Sequence, residues 1–161
     1  MDSGNQQVPT QPVQSQPAQP VQPAPPVQSQ PINAKVLLVE DDLFLRDLYV
    51  EVLKEQGFTV FTADDGEEGL RLGQDNPDAS IMLLDIMLPK MHGVDVLKKL
   101  KEDTKTAAIP VVMLTNLTEQ SVVQESLRLG AIGYLVKVKY TPPQVVDKVK
   151  EFLNFHKEHL Q

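Results

Sequence analysis

Ile81-Met82-Leu83-Leu84-Asp85 is the stretch of sequence that decides the fold, because four apolar residues in a row end in a single acid. An unbroken apolar run of this length indicates a strand that is buried on both faces, as strands of parallel sheets are. Asp85 then lies at the carboxyl end of a buried strand, where nothing local requires an acid. We therefore take Asp85 as the first candidate functional residue.

Three further apolar runs also end in polar side chains. Val36-Leu37-Leu38-Val39 precedes the acids Glu40-Asp41-Asp42, residues 111–114 precede Thr115, and residues 133–136 precede Lys137. Because parallel strands point their carboxyl ends at one edge of the sheet, we expect these side chains to converge there. Open α/β sheets bind their ligands at that edge.

Helical patterns alternate with the strands, and the five βα units predict an α/β fold. The expected architecture is a doubly wound five-stranded parallel sheet with helices on both faces. Its strand order, 2-1-3-4-5, is borrowed from flavodoxin-like (βα)5 proteins and does not follow from the residues. The predicted strands are 36–39, 58–62 (a half-exposed edge), 81–84, 111–114 and 133–136. The predicted helices are 43–56, 66–75, 94–103, 119–129 (capped by Thr118) and 142–158, and the last buries Val145, Val149, Phe152 and Leu153.

Residues 1–34 differ in composition from the rest of the chain. They hold eight of the 13 prolines, no Lys or Arg and a single acid, Asp2. Such a segment cannot bury enough apolar surface to offset the entropy cost of ordering, so we expect a disordered Pro/Gln-rich tail. Its Pro-x-x-Pro matches leave open a ligand for a proline-recognition domain. The folded domain is expected over 35–157, with 158–161 as a C-terminal end too short for an output domain.

Composition restricts the function of the part that follows the tail, which carries 15 basic residues and 21 acids, a formal charge of −6. A mildly acidic domain without basic clusters argues against a nucleic-acid partner. The absence of cysteine excludes disulfides and thiolate metal sites. No stretch approaches the ~20 apolar residues of a membrane span, and the amino terminus does not resemble a signal peptide. We therefore expect a cytoplasmic protein without a membrane partner.

The side chains at the predicted edge suit Mg²⁺-dependent phosphoryl transfer. Neighbouring carboxylates need a cation or a shared proton, and their oxygens suit Mg²⁺. With Mg²⁺ bound, one carboxylate can attack phosphorus and become an aspartyl phosphate. Lys137 and Thr115 would then contact the phosphoryl oxygens. Taken singly, the residues also have plainer explanations: Asp42 as a helix N-cap, which we favour, Lys137 as a solvated lysine, Thr115 as a cap and Tyr134 as a core aromatic.

These motifs resemble the receiver domain of two-component response regulators over about residues 35–157. Glu40 and Asp41 match the family's acidic pair. Leu84-Asp85-Ile86-Met87-Leu88-Pro89-Lys90-Met91-His92-Gly93 is similar to its phosphoacceptor strand and loop. The intervals also fit, with 44 residues from Asp41 to Asp85, 30 from Asp85 to Thr115 and 52 from Asp85 to Lys137.

The resemblance implies a stand-alone, chemotaxis-regulator-like switch. Asp85 would be phosphorylated by a sensor histidine kinase or a histidine phosphotransfer protein, with Thr115 and Lys137 assisting. Asp41, Asp85 and the Met87 carbonyl would ligate Mg²⁺, with Glu40 acting through water. Thr115 and Tyr134 would form the switch, and a surface within about residues 119–153 would bind an unknown downstream protein. Because no external substrate is turned over, we do not expect an enzyme.

Two residues depart from the family pattern, and three other functions remain as alternatives. Val138 follows Lys137 where the family usually has a proline in a cis peptide, so a trans bond is expected. Asn116 follows Thr115 where the family has a small residue. An aspartyl-nucleophile phosphatase would need a second acid at Met87, and a flavin protein would need a phosphate-binding loop where Glu40 and Asp41 stand. A receiver that works without phosphorylation is the mildest alternative.

Overall fold

Five parallel strands alternate with five α-helices in the computed structural model, which describes residues 33–116 and 120–159. The strands are β1 (Lys35–Val39), β2 (Thr59–Ala63), β3 (Ile81–Asp85), β4 (Val111–Thr115) and β5 (Gly133–Val136). The helices are α1 (Leu43–Glu55), α2 (Gly66–Asp75), α3 (Gly93–Glu102), α4 (Gln120–Arg128) and α5 (Pro142–His159), and a 3-10 turn covers Lys137–Lys139.

The strand order is β2-β1-β3-β4-β5, which confirms the predicted topology. The register brings the carboxyl ends together: Val39 pairs with Leu84, Asp85 with Leu114, and Thr115 with Val136. The chain reverses direction across the sheet between β1 and β3, so the residues that follow these two strands lie side by side. That arrangement places a crevice outside the carboxyl ends of the central strands.

Each central strand contributes to two hydrophobic cores, one on either face of the sheet. Successive side chains of a strand point to opposite faces, so Leu38 and Leu83 enter one core while Leu37 and Leu84 enter the other. Residues of α1 and α5 fill the first core, and residues of α2, α3 and α4 pack against the second. Burial on both faces explains why these strands read as unbroken apolar runs.

Local capping signals set several helix ends. The Asp42 carboxylate accepts a hydrogen bond from the Leu45 amide at 2.9 Å, which confirms the favoured N-cap role of this residue. Gly57 (φ 85°) and Gly130 (φ 101°) follow the ends of α1 and α4 in the left-handed conformation that glycine tolerates. The predicted cap at Thr118 lies outside the described residues.

The chain termini agree only in part with the sequence analysis. Ala34, which was placed in the tail, is buried, and its carbonyl accepts a hydrogen bond from the Thr59 amide at 3.1 Å. In α5, Val145, Val149 and Leu153 are buried as predicted, whereas Phe152 is only partly buried.

Among the described residues, no helix is long and apolar enough to cross a membrane. No peptide bond in this part of the chain is cis, and the bond between Lys137 and Val138 is trans, as predicted.

Candidate functional site

Three carboxylates meet at the carboxyl ends of β1 and β3. One oxygen from each of Glu40, Asp41 and Asp85 lies within 4.8 Å of the other two. Glu40 and Asp85 are buried, whereas Asp41 is exposed. The convergence that the sequence predicted is therefore present, and it combines two desolvated acids with one that faces solvent.

Lys137 neutralises part of this charge from the end of β5. Its ammonium donates a hydrogen bond to Asp85 Oδ2 at 2.6 Å and lies 2.6 Å from Glu40 Oε2, and all three side chains are at least 94% buried. Burial lowers the pKa of Lys137, but the hydrogen bond to Asp85 and the contact with Glu40 outweigh it and hold the pKa above its ordinary value. A buried lysine with two carboxylate partners is not a solvated strand-end lysine, so that alternative is wrong.

Glu40 is poorly provided with hydrogen-bond donors. The backbone N–H of Asp42 donates to Oε1 at 3.3 Å, whereas none of the described residues donates a well-directed hydrogen bond to Oε2, although the Lys137 ammonium lies 2.6 Å from it. Burial raises the pKa of Glu40 more than Lys137 lowers it. A buried carboxylate oxygen without a directed donor is ready to accept one from a ligand or its water shell.

The loop of residues 86–92 holds the other oxygen of Asp85. The Met87 N–H donates to Asp85 Oδ1 at 3.2 Å, and the Met87 side chain is exposed. The Asp85 carbonyl lies against Gly93, where an added Cβ would come within 2.0 Å of it. Glycine at 93 therefore lets α3 begin directly beside the end of β3.

The two remaining predicted site residues lie in different surroundings. Thr115 ends β4 next to Asp85 and is fully buried. Tyr134 is 44% exposed on β5 and lines a cavity of about 490 Å³ between α4 and β5, together with Gln124, Leu127 and Lys139. Its interpretation as an ordinary core aromatic is wrong. Asn116 is exposed beyond the end of β4.

Sequence reasoning missed four residues that support the site. Arg46 donates to the Glu40 carbonyl at 2.9 Å, and Tyr49 is buried near the carboxylates. Lys90, in the loop that carries Met87, forms an ion pair with Asp65 at the start of α2. Arg46 follows Glu40 closely in the sequence, and that spacing was an available signal. The long-range pair of Lys90 and Asp65 had none.

The carboxylate cluster fits a hard divalent cation. Counted as ionised, three carboxylates and one ammonium leave two negative charges, which equals the charge of Mg²⁺ in magnitude. The potential ligand atoms of the three acids are all oxygens, and one of them, the buried Glu40 Oε2, receives no well-directed hydrogen bond from the described residues. Oxygen donors with room for water are what Mg²⁺ requires. The chemistry of the donor set therefore agrees with the cofactor that the sequence predicted.

The fold and this acidic site together define the class of protein. The model of the response regulator receiver domain family matches residues 36–150. The chain belongs to this family, whose members act in two-component systems.

Individual relatives agree with that assignment. The transcriptional regulatory protein CpxR of Klebsiella pneumoniae is 40% identical over 119 residues, which make up 74% of this chain and 49% of that protein. The regulatory protein PhoP of alkaline phosphatase synthesis in Bacillus subtilis is 36% identical over 123 residues, 76% of this chain and 49% of the relative. The chain thus spans about half the length of these curated relatives.

Solved structures are similar along nearly their whole length. Chemotaxis response regulator CheY4 of Vibrio cholerae superposes with a TM-score of 0.68 at 30% identity, covering 74% of this chain and 98% of that one. A chain of the CheX–CheY–BeF3–Mg²⁺ complex from Borrelia burgdorferi gives a TM-score of 0.67 at 30% identity, covering 73% and 87%. The expected absence of a nucleic-acid partner gains no support, because curated relatives are transcriptional regulatory proteins.

Proposed function

We propose that this protein is a phosphorylation-controlled switch in which Asp85 accepts a phosphoryl group from a histidine kinase or a histidine phosphotransfer protein. The observation that carries the proposal is the buried Asp85 carboxylate, hydrogen-bonded to Lys137 and to the Met87 amide beside two further acids. In this function no external substrate is turned over, so we assign the protein as a regulator and not as an enzyme. Its membership of the receiver family supports the same function.

The transfer step is a displacement at phosphorus. An Asp85 oxygen forms a bond to phosphorus as the bond from phosphorus to the donor's imidazole nitrogen breaks, and the electron pair stays on that nitrogen. Lys137 is already within contact of Asp85 and supplies positive charge for the phosphoryl oxygens. Thr115, which ends the neighbouring strand, supplies a hydroxyl to another phosphoryl oxygen. These groups position and neutralise the phosphoryl group, which is the main requirement of such transfers.

We propose that Mg²⁺ is held by Asp41, Asp85 and the Met87 carbonyl, and that Glu40 contacts a water molecule bound to it. Bound there, the cation offsets the charge that builds on the phosphoryl oxygens. The two negative charges left by the cluster support this assignment. The CheX–CheY complex named above contains Mg²⁺ together with BeF3, which is consistent with a cation site in a protein of this fold.

The proposed output is a surface change near α4 and β5. Phosphorylation draws Thr115 toward the phosphoryl group, and Tyr134 then moves into the space that is vacated. Tyr134 is exposed on the wall of a cavity of about 490 Å³, so an inward movement of its ring changes the shape presented to a partner. A downstream protein that binds within residues 119–153 distinguishes the two states by that shape.

Intact-mass measurement after incubation with acetyl phosphate and Mg²⁺ tests the proposal. Wild-type protein is expected to gain ~80 Da, the mass of one phosphoryl group. Asp85→Asn and chelation of Mg²⁺ should each abolish the gain, because one removes the acceptor and the other the counter-charge. The matched control is Asp75→Asn, which changes an exposed acid at the end of α2 and should label normally.

Two outcomes would overturn parts of the proposal. Undiminished labelling of Asp85→Asn would place the acceptor elsewhere. An unlabelled wild type, both with acetyl phosphate and with a phosphorylated histidine donor, would favour a receiver that works without phosphorylation.

A further inference from the structure

Two backbone hydrogen bonds hold the loop of residues 86–92. The Gly93 N–H donates to the Ile86 carbonyl at 2.9 Å and so closes the loop between its two ends. The Gly66 N–H at the start of α2 donates to the carbonyl of Pro89, in the middle of the loop, at 3.1 Å. Between these attachments lies Met87, whose N–H donates to Asp85. The position of α2 therefore bears on how the loop meets the acceptor carboxylate.

Lys90 and Asp65 reinforce the second attachment. The Lys90 ammonium forms an ion pair with Asp65 Oδ2, and Oδ1 of the same carboxylate accepts from the Glu68 N–H at 2.8 Å as the N-cap of α2. Asp65 is only 3% exposed. One buried carboxylate thus serves the helix with one oxygen and the loop with the other.

Backbone conformation and packing show that the loop is held closely. Lys90 is the one non-glycine residue with a positive φ among the described residues, at 63°. Only glycine fits at position 66, since an added Cβ would lie 1.9 Å from the Met91 carbonyl oxygen. An unfavourable backbone conformation persists where the surroundings hold it, and here the ion pair and the close contact of helix and loop do so.

We propose that Lys90 and Asp65 are positioning residues that clamp this loop to α2 and so hold Met87 against Asp85. Neither residue touches the phosphoryl group; each acts through the loop backbone. The clamp also places a cation among acids at the start of α2, where oxygens of Asp64, Asp65 and Glu68 lie within 4.8 Å of one another. The inference rests on the proposed function for its effect on the Mg²⁺ affinity of the site, but its effect on the loop is independent of that function.

Substitutions at these two positions distinguish the loss of the ion pair from the loss of the helix cap and from a change in backbone strain. Asp65→Asn removes the charge but keeps an oxygen that can accept from Glu68, so α2 remains capped. Lys90→Gly removes the ammonium and relieves the positive φ, and Lys90→Arg retains the charge. The control is Asp78→Asn, which breaks the ion pair of Lys35 and Asp78 (2.7 Å) at the amino-terminal end of β1.

The first readout is hydrogen exchange of the Met87 amide in full-length, Mg²⁺-free protein, followed by NMR. Asp65→Asn and Lys90→Gly are expected to speed this exchange about tenfold, while Lys90→Arg and Asp78→Asn leave it within about twofold of wild type. The second is the Kd for Mg²⁺ by calorimetry, which should rise about tenfold in the same two variants, as it does when groups that orient metal ligands are removed. The rate of labelling by acetyl phosphate at saturating Mg²⁺ should change less than about twofold.

Wild-type exchange at Met87 in both clamp variants would overturn the inference, and so would an equal effect of Asp78→Asn, which would indicate general destabilisation. Labelling separates this inference from the proposed function. If wild type takes up no phosphoryl group, the proposed function fails, yet exchange at Met87 still decides whether the clamp holds the loop.

Discussion

At the scale of single residues, the pKa of Tyr49 is shifted by its burial next to the carboxylates of the site. Its side chain is 1% exposed in the core between the sheet and α1 and α5. Burial raises the pKa of Tyr49 to about 12, with smaller contributions from the negative charges of Glu40 and Asp85. The phenol therefore stays protonated in the folded state at a pH where it would ionise in the unfolded chain.

This shift predicts a loss of stability at alkaline pH. The folded pKa, about 12, exceeds the unfolded value of ~10, so the folded state holds the proton more tightly. Below pH ~10 the group has no effect on the pH dependence, and between pH ~10 and ~12 stability falls as the pH rises, by about 2 kcal/mol at pH ~11.5. Tyr49→Phe lacks this proton, so its urea-unfolding free energy should fall by about 2 kcal/mol less than that of wild type between pH ~9 and ~11.5. Parallel pH profiles for the two proteins would contradict the assignment.

Which residues the sequence could identify depends on whether their position follows from a strand end. Asp85, Thr115 and Lys137 directly end or follow apolar runs, so the parallel sheet brings them to one edge. Tyr49 lies near the site on a helix, and Lys90 lies in the loop after β3. Their location depends on helix rotation and loop conformation, which a single sequence does not determine.

At the scale of elements, α2 lies close to the sheet and to α3 because its three buried positions, 66, 69 and 73, are all glycines. A Cβ added at Gly69 would lie 2.8 and 3.0 Å from the two γ-methyl groups of Val39. One added at Gly73 would lie 2.6 Å from Leu100 Cδ2 and 3.3 Å from Met82 Cε. The Val39 side chain is short and β-branched, whereas the Leu100 and Met82 atoms end longer side chains that can shift.

Gly69→Ala should therefore destabilise the protein more than Gly73→Ala does. Each substitution gains ~1 kcal/mol in helix propensity, but crowding costs ~1–3 kcal/mol, and the stiff Val39 side chain places the cost at position 69 in the upper part of that range, ~2–3 kcal/mol. We expect a net loss of about 1–2 kcal/mol for Gly69→Ala and a change below ~1 kcal/mol for Gly73→Ala, measured by urea unfolding. Gln74→Ala, at an exposed position of the same helix, should change stability by less than ~0.5 kcal/mol. The reverse ranking of the two glycines would refute this account of the packing.

The order and type of the elements could be predicted because the period of the apolar residues and the signals for helix ends indicate the same elements along the chain. α2 and β5 have the predicted bounds, and most other bounds differ by a residue at one end or both. β3 and β4 each extend one residue further than the apolar runs, because Asp85 and Thr115 still belong to the ladder. Backbone pairing sets a strand's end, and the polarity of its last side chain does not reveal it. The strand order was borrowed from flavodoxin-like proteins, since periodicity does not specify it.

At the scale of the whole molecule, we propose that the chain consists of a folded receiver and a tail that its fold does not require. The composition of residues 1–33 offers few apolar side chains for a core. Ala34 is different, because it is buried and its carbonyl pairs with Thr59. The boundary that matters for stability therefore lies just before Ala34.

Deleting residues 1–33 should change Tm by less than about 2 °C and leave the rate of labelling with acetyl phosphate unchanged, since a shift of that size corresponds to less than ~0.5 kcal/mol. Deleting residues 1–35 is the matched control. It removes Ala34, and with Lys35 it removes the N–H that donates to the Ser80 hydroxyl at 3.1 Å, so Tm should fall clearly. A drop of several degrees from the shorter deletion would show that the tail packs on the domain.

The shortness of β5 has a consequence for communication across the molecule. Lys137, directly after the strand, is buried against Asp85, whereas Tyr134, three residues earlier, faces solvent. At ~3.3 Å per residue, the two side chains are rooted about 10 Å apart on one stretch of backbone. Under the proposed function, the backbone of this single strand therefore connects the acceptor carboxylate directly to the surface at the α4–β5 cavity, in addition to the route through Thr115.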